Sequence, residues 1–370
     1  MLSDGSLTPQ ERRQLITHAL SPRRLELIIL PTEQCNFRCT YCYEDFRIGK
    51  MRPEVVTGIK NLIGQRVHDL RTLVIQWFGG EPLAAKDIML DISRHARRLC
   101  TENGVRLLTI ITTNASLLRA PLLDQLAALY DELRFQITLD GDPEQHNMTR
   151  VSAGGQGTFS TIWKNLLMMK ATAHRFHVDL RLHQGPANEA SMVRLIERLN
   201  GEFAEDSRFG IYFHEISDLG GPLGGTIPLL SHSAYARRTA TLRAMSKVSV
   251  RADADSETQR NVCQHICYAA KANAFIIRAT GRIGKCTVIL GDDRNDIGKI
   301  NEDGTLSLDA GKQLPWIAGL QTMDMKSLEC PLHYLDMPRV GRRASADAAH
   351  AVGGDEKGSG SKGSQNSWST

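Results

Sequence analysis

The stretch RLELIILPTEQCNFRCTYC, residues 24–42, runs from a short apolar segment directly into three closely spaced cysteines. Its first part, Arg24–Leu30, reads as a strand. The same kind of segment recurs outward from it. Leu73–Phe78 (LVIQWF), Arg106–Thr113 (RLLTIITT), Leu133–Asp140 (LRFQITLD), His177–His183 (HVDLRLH) and Gly210–Ile216 (GIYFHEI) also read as strands, with helix-period stretches filling each gap. Six such repeats predict an α/β fold with a parallel sheet, in which ligands sit at the carboxyl ends of the strands. Chemistry gathers at those ends: CNFRCTYC follows the first strand, GGEP the second, TTN ends the third and LDGD the fourth.

Composition bounds the answer from outside. With 370 residues, 41% apolar, 31 Gly, 13 Pro and 6% aromatic, the chain has enough material for one large core or two modest ones, and collagen-like, coiled-coil and mostly disordered classes are excluded. No apolar run approaches the roughly 18–20 residues needed to span a bilayer, and the start MLSDGSLTPQERRQ lacks the basic and apolar parts of a signal peptide. A cytoplasmic location without membrane attachment is expected. The balance of 45 Lys+Arg against 41 Asp+Glu leaves +4 with no concentrated basic arm, so nucleic acid is not an expected partner.

Alternation within the fourth and fifth strands adds detail. Leu133, Phe135, Ile137 and Leu139 share one face, and Arg134, Gln136, Thr138 and Asp140 the other; Val178, Leu180 and Leu182 likewise oppose His177, Asp179, Arg181 and His183. Two neighbouring polar inner faces predict a hydrated, partly open barrel around a polar ligand; an edge facing solvent is the alternative. Along the chain, residues 1–22 read as an N-terminal extension, 23–218 as the barrel and 219–260 as linker and helix beginning with the Gly-rich GGPLGG. Residues 261–337 read as a small cysteine-bearing unit, and 338–370 as a disordered tail rich in Gly and Ser.

Eight cysteines in a chain without an export signal are not expected to form a disulfide framework. Cys100 stands alone in a helical run and reads as core. Cys35, Cys39 and Cys42 bring three thiolates onto one loop with no fourth ligand nearby, which suits a cubane whose fourth iron stays open. Zinc is the rival, although structural zinc sites are closed by a fourth Cys or His.

CNFRCTYCY resembles the motif of the radical S-adenosylmethionine (radical SAM) enzymes, and the resemblance extends through GGEP and LDGD across most of Leu25–Ile216. It implies a partial (β/α)6 radical SAM barrel and a [4Fe–4S] cluster on Cys35, Cys39 and Cys42, its open iron chelated by the amino and carboxylate groups of S-adenosylmethionine. Tyr41 matches the aromatic position whose backbone lies near the adenine, with loop packing as the other role. Gly79, Gly80, Glu81 and Pro82 match the segment that hydrogen-bonds the methionyl amino group. There the glycines are expected to let the backbone approach the ligand and Glu81 to assist by its charge. Asn114, Thr138 and Asp140 belong to the same cofactor-binding set, the last two near the ribose or methionyl moiety. Arg150 looks like the arginine that pairs with the methionyl carboxylate through its planar fork; a surface arginine capping a helix is the alternative.

The late cysteines Cys263, Cys267, Cys286 and Cys330 supply the four thiolates of a fully ligated cubane, with Gly281 turning a hairpin between Cys267 and Cys286. Their spacing resembles the first half of the SPASM extension of peptide-modifying radical SAM enzymes but lacks a CxxC beside Cys330. This implies a small C-terminal iron–sulfur domain, truncated SPASM or Twitch-like, with one auxiliary [4Fe–4S] cluster; a zinc site is the rival. The expected activity is hydrogen abstraction by a 5′-deoxyadenosyl radical from a residue of a ribosomally made precursor peptide, closing an oxidative intramolecular crosslink. A flavodoxin- or ferredoxin-type donor would supply electrons. His183, Glu215 and Asp218 are candidates for the base that takes the product proton, against a core histidine and solvated carboxylates. Alternatives are an anaerobic sulfatase-type protein maturase, a small-molecule dehydrogenase with one auxiliary cluster, or a non-enzymatic iron–sulfur scaffold.

Overall fold

The computed structural model describes residues 8–251 and 266–335. The expected strands form with their ends shifted by one residue: β1 (Arg24–Ile29), β3 (Thr72–Trp77), β4 (Arg106–Thr112), β5 (Glu132–Leu139), β7 (His177–Gln184) and β8 (Phe209–Glu215). A short β2 (Phe37–Cys39) and β6 (Arg150–Ser152) pair separately. In the main sheet β1, β3, β4, β5, β7 and β8 follow one another in parallel, so each crossover adds the next strand at the same edge. The crossover helices are α2 (Pro53–Arg66), α3 (Lys86–Glu102), α4 (Ala120–Leu129), α6 (Phe159–Lys170) and α7 (Glu189–Phe203), and the short α5 (Pro143–Thr149) leads into β6. No helix among the described residues is long and apolar enough to cross a membrane.

Periodicity explains why these helices pack. On α3 the buried residues Met89, Leu90, Ile92, Ser93, Ala96 and Cys100 recur at helical spacing, and Cys100 is a fully buried core residue. Strand β1 is covered on both faces and is apolar apart from Arg24 and the ion-paired Glu26. Leu25, Leu27 and Ile29 join the main core, whereas Ile28 and Leu30 pack with Ile276 in a smaller cluster. The polar alternation of β5 and β7 turns Gln136, Thr138, Arg181 and His183 toward a cavity at the carboxyl ends of the strands.

The C-terminal region is continuous with this sheet, where the sequence pattern set it apart as a small unit from residue 261. Strand β10 (Ala274–Ile277) pairs in parallel with β1, and the antiparallel β11 (Arg282–Gly284), β12 (Gly298–Ile300) and β13 (Leu306–Leu308) extend the edge. The described residues fall in one compact unit ending at Leu335. Gly281 makes the expected turn at φ 85°, a conformation that L side chains rarely adopt. The linker holds α8 (His232–Met245) and a two-residue strand β9 (Ser249–Val250) beside β8.

At the other end, the extension forms α1 (Pro9–Leu20), opened by a reciprocal Thr8–Glu11 capping box. Its Ile16 and Ala19 pack against Ile266, Ala270, Leu320 and Leu328 of the C-terminal region. The tail expected over 338–370, and Cys263, lie outside the described residues.

Candidate cofactor pocket and cysteine sites

The loop after β1 is fixed from two sides. Strand β2 pairs with β6 so that Cys39 lies opposite Arg150. The Glu81 amide donates to the Gln34 carbonyl at 3.0 Å, and the Thr40 amide to the Thr149 carbonyl at 2.9 Å. Cys35, Cys39 and Cys42 all open onto one cavity, together with Tyr41, Gly79, Gly80, Asn114, Thr138 and Arg150. Positions scattered from Cys35 to Arg150 thus converge on one cavity.

The three thiols are chemically suited to metal. Burial, with Glu81, Cys39 and Cys42 nearby, pushes the Cys35 thiol up to about 12; burial and Glu44 push Cys42 to about 12, and burial raises Cys39. Without a cation these groups stay protonated, and a positively charged centre is what would hold them together as thiolates. Three thiols opening onto one cavity are a donor set that would suit an iron–sulfur cluster.

Two carboxylates of the motifs serve the scaffold. Glu81 is fully buried; Oε1 accepts from the Leu83 amide at 2.9 Å and the Thr113 hydroxyl at 2.7 Å, and Oε2 accepts from the Asn114 amide at 2.7 Å. This corrects the expectation that its charge faces the ligand: the carboxylate ties the end of β3 to the end of β4. Asp140, also fully buried, accepts from the Tyr41 hydroxyl at 2.8 Å and from the Thr149 hydroxyl at 2.7 Å. It therefore holds Tyr41 in the wall, and neither carboxylate lines the cavity.

The glycines, which line the cavity, also serve the scaffold. A Cβ on Gly79 would strike the Thr32 carbonyl, and one on Gly80 would lie 2.5 Å from the Gln34 carbonyl and 2.9 Å from the Cys35 amide. The missing side chains let the cysteine loop, ahead of any ligand, approach the strand end. Asn114 is also engaged. Its Nδ2 donates to Asn36 Oδ1 at 2.9 Å, and its Oδ1 accepts from the Ser116 amide and hydroxyl at 2.9 and 2.7 Å.

Arg150 is buried, not a surface cap. Its Nη1 donates to the Tyr41 hydroxyl at 2.8 Å while Nε has no partner. Burial opposes its charge, but Cys39, Tyr41 and Asp140 together hold it firmly ionised. Of the candidate bases, His183 and Glu215 line the cavity. Burial, with Arg181 and His214 adding repulsion, drives the His183 imidazole well below its ordinary range, so it is neutral. Asp218 is not brought in: its carboxylate accepts from the Gly220 amide at 2.9 Å and the Gly225 amide at 2.6 Å, building the Gly-rich loop. Tyr43, Glu44, Gln136 and Arg181 also line the cavity. Period-two polarity pointed at the last two; nothing local singled out the first two.

The late cysteines form a second thiol group. Cys267 and Cys286 are pushed up, Cys267 to about 11, by burial and by each other or Cys330. The Tyr268 hydroxyl lies 2.8 Å from Thr287 Oγ1 and accepts from the Thr287 amide at 2.9 Å, joining the two cysteine segments. The Cys267 amide donates to the Leu328 carbonyl at 2.9 Å, bringing in the Cys330 turn.

A partly open parallel barrel with a half-buried thiol triad at its mouth defines the radical SAM type of domain. Residues 29–199 match the Radical SAM superfamily, and this stretch is a radical SAM domain. Domains of this family use a [4Fe–4S] cluster and S-adenosylmethionine. A cysteine-type anaerobic sulfatase-maturating enzyme of Clostridium perfringens is 26% identical over 165 residues, 42% of this chain and 43% of the relative. A PqqA peptide cyclase of Xanthomonas euvesicatoria pv. vesicatoria is 28% identical over 110 residues, 30% of this chain and 28% of the relative. The chain therefore matches less than half the length of either protein, both of which are enzymes. In three dimensions the chain is similar to native anSMEcpe with bound AdoMet and Cp18Cys peptide, with a TM-score of 0.61 and 19% identity over 83% of this chain and 87% of that one.

Proposed function

We propose that this protein is a cytoplasmic radical SAM maturase that acts on a ribosomally made precursor peptide and installs an oxidative intramolecular crosslink. The observation that carries the reading is the Cys35–Cys39–Cys42 triad opening onto a cavity at the mouth of a radical SAM domain. When bound there, the cluster and S-adenosylmethionine supply a 5′-deoxyadenosyl radical able to take hydrogen from an unactivated C–H bond. The chain's own contribution is binding, orientation and exclusion of water. Arg150, ionised and presenting an unpartnered Nε, is suited to hold the methionyl carboxylate. Asp140 fixes Tyr41, and Glu81 fixes Asn114, so the wall is preorganised.

The auxiliary cluster on Cys267, Cys286, Cys330 and Cys263 completes the proposal, as acceptor of the electron left after bond formation; a flavodoxin- or ferredoxin-type protein would reduce the first cluster. Neutral His183 and cavity-lining Glu215 are candidates to take the product proton. A larger cavity shares Tyr43, Glu44 and Leu219 with the first and offers a route for an extended peptide. The similarity to PqqA peptide cyclase favours a crosslink. A second reading, oxidation of a sulfatase residue, is favoured by the similarity to the sulfatase-maturating enzyme.

Anaerobic reconstitution followed by measurement of 5′-deoxyadenosine tests the radical chemistry. Co-expression with a peptide encoded beside this gene, followed by mass spectrometry, tests the product. A loss of about two mass units with fragmentation blocked across a ring supports the crosslink. An unmodified peptide together with a converted sulfatase would decide for the second reading.

A further inference from the structure

Arg181 and His183 occupy alternate positions of β7, so both side chains leave the strand on the cavity side. Arg181 lies in register with Thr138 on β5 and Tyr212 on β8, whereas Arg150 is the cross-strand neighbour of Cys39. The two guanidinium groups therefore stand on different walls. Arg150 has counter-charges in Asp140 and the cysteine loop. Two carboxylates close by are taken by other groups, Asp179 pairing with Arg134 and Arg251 and Asp140 accepting from Tyr41 and Thr149, while Glu44 and Glu215 line the same cavity. The buried Nε of Arg181 has no hydrogen-bond partner.

His183 is 8% exposed, and neither ring nitrogen has a hydrogen-bond partner. Its Nδ1 lies 3.7 Å from Asp140 Oδ1, beyond hydrogen-bond reach, and Tyr41 and His214 pack around the ring with centroids at 5.2 and 5.5 Å. A buried imidazole with two unanswered nitrogens, beside a guanidinium whose buried Nε is also unanswered, is costly in the fold. A bound anion that accepts from the guanidinium fork offsets that cost, and a carboxylate matches the fork's geometry.

We infer that Arg181 and His183 form a subsite for a carboxylate of the substrate peptide, either an acidic side chain or a free chain terminus close to the modified residue. This subsite rests on the protein being a peptide maturase. It would fix which residue of an extended peptide stands at the cluster end of the cavity, and so acts in substrate selection.

The test uses iron-loaded full-length protein with S-adenosylmethionine and saturation-transfer NMR of short probes. These are acetyl-Gly-Gly-Asp-Gly-Gly-amide with its Glu, Asn and Gln counterparts, and acetyl-Gly-Gly-Ala-Gly-Gly as free acid and as amide. The wild type should bind either the Asp and Glu peptides or the free-acid peptide about tenfold or more tightly than the matching amides, as expected for a charge-assisted bidentate pair. Which series responds identifies the source of the carboxylate. Arg181→Gln should abolish the preference, and Arg181→Lys, which keeps charge but loses the fork, should retain part of it; iron content checks that both variants are folded. Equal affinity for acids and amides, no binding of any acidic probe, or a preference that survives Arg181→Gln would overturn the inference. So would weakened S-adenosylmethionine binding in Arg181→Gln with peptide binding unchanged, since Arg181 would then serve the cofactor. Peptide-free formation of 5′-deoxyadenosine, measured on the wild type, reports the radical reading separately, and its failure leaves the binding result standing.

Discussion

Replacing Glu81 by Gln separates a scaffold role from a ligand role. The carboxylate receives three donors, from Leu83, Thr113 and Asn114, and is fully buried. A Gln amide keeps one oxygen and turns an NH2 toward the Leu83 or Asn114 amide, so at least one charge-assisted bond is lost and one buried donor is left unsatisfied. The lost bond costs about 1.5–3 kcal/mol and the orphan about 1–3 kcal/mol, offset in part by no longer burying a charge. A net loss of about 3 kcal/mol corresponds to a fall in Tm of roughly 4 °C for a chain of this size. The assay is thermal unfolding of iron-loaded protein, with S-adenosylmethionine affinity measured alongside. Burial pushes the Glu81 carboxyl above its ordinary 4.5 against the pull of its hydrogen bonds. Its contribution to wild-type stability therefore declines as pH rises from 4.5 through the folded value. The glutamine of the variant does not titrate, so the gap between the two proteins should narrow toward neutral pH. An unchanged Tm with S-adenosylmethionine binding weakened tenfold or more would refute this reasoning and return the carboxylate to the ligand.

Other outcomes follow from the same contacts. Gly80→Ala puts a Cβ 2.5 Å from the Gln34 carbonyl, so the cysteine loop must shift; iron retained per chain should fall, measured by iron analysis after desalting. Arg278→Ala strips the buried Glu33 of a partner at 2.5 Å and should destabilise the protein by about 3–5 kcal/mol in denaturant unfolding, whereas a change under about 1 kcal/mol would mark the pair as solvent-screened. Arg150→Lys should weaken S-adenosylmethionine binding without loss of iron, because Lys keeps charge but loses the fork; an unchanged Kd would remove Arg150 from the cofactor site. Reconstituted protein should hold about eight irons per chain, and alanine at Cys35, Cys39 and Cys42 should remove about half of them; about four irons with zinc present would replace the auxiliary cluster by a zinc site.

The features legible in the amino-acid sequence are local in origin. The strands β1, β3, β4, β5, β7 and β8 announce themselves by apolar runs and period-two alternation, and their ends fall within a residue of expectation. The cysteine triad is legible because its ligands are close in sequence, and the turn at Gly281 because one residue type answers its φ. The alternation of β5 and β7 indicated the face that opens onto the cavity, from which Gln136, Thr138, Arg181 and His183 line it while Arg134, Asp140, His177 and Asp179 do not. Other features depended on contacts between distant segments. Glu81 and Asp140 sit within motifs but point into the scaffold, because donors arrive from the segment just after β4, the cysteine loop and the end of α5. Gly79 and Gly80 are required by the backbone of Thr32, Gln34 and Cys35, not by a feature of their own strand. The parallel pairing of β10 with β1, reinforced by Lys271 donating to Glu26 at 2.8 Å across 245 residues, carries no local signal in either segment. A residue type and its spacing determine what a segment is able to do; which groups remain free to do it is decided by the partners that folding brings from elsewhere in the chain.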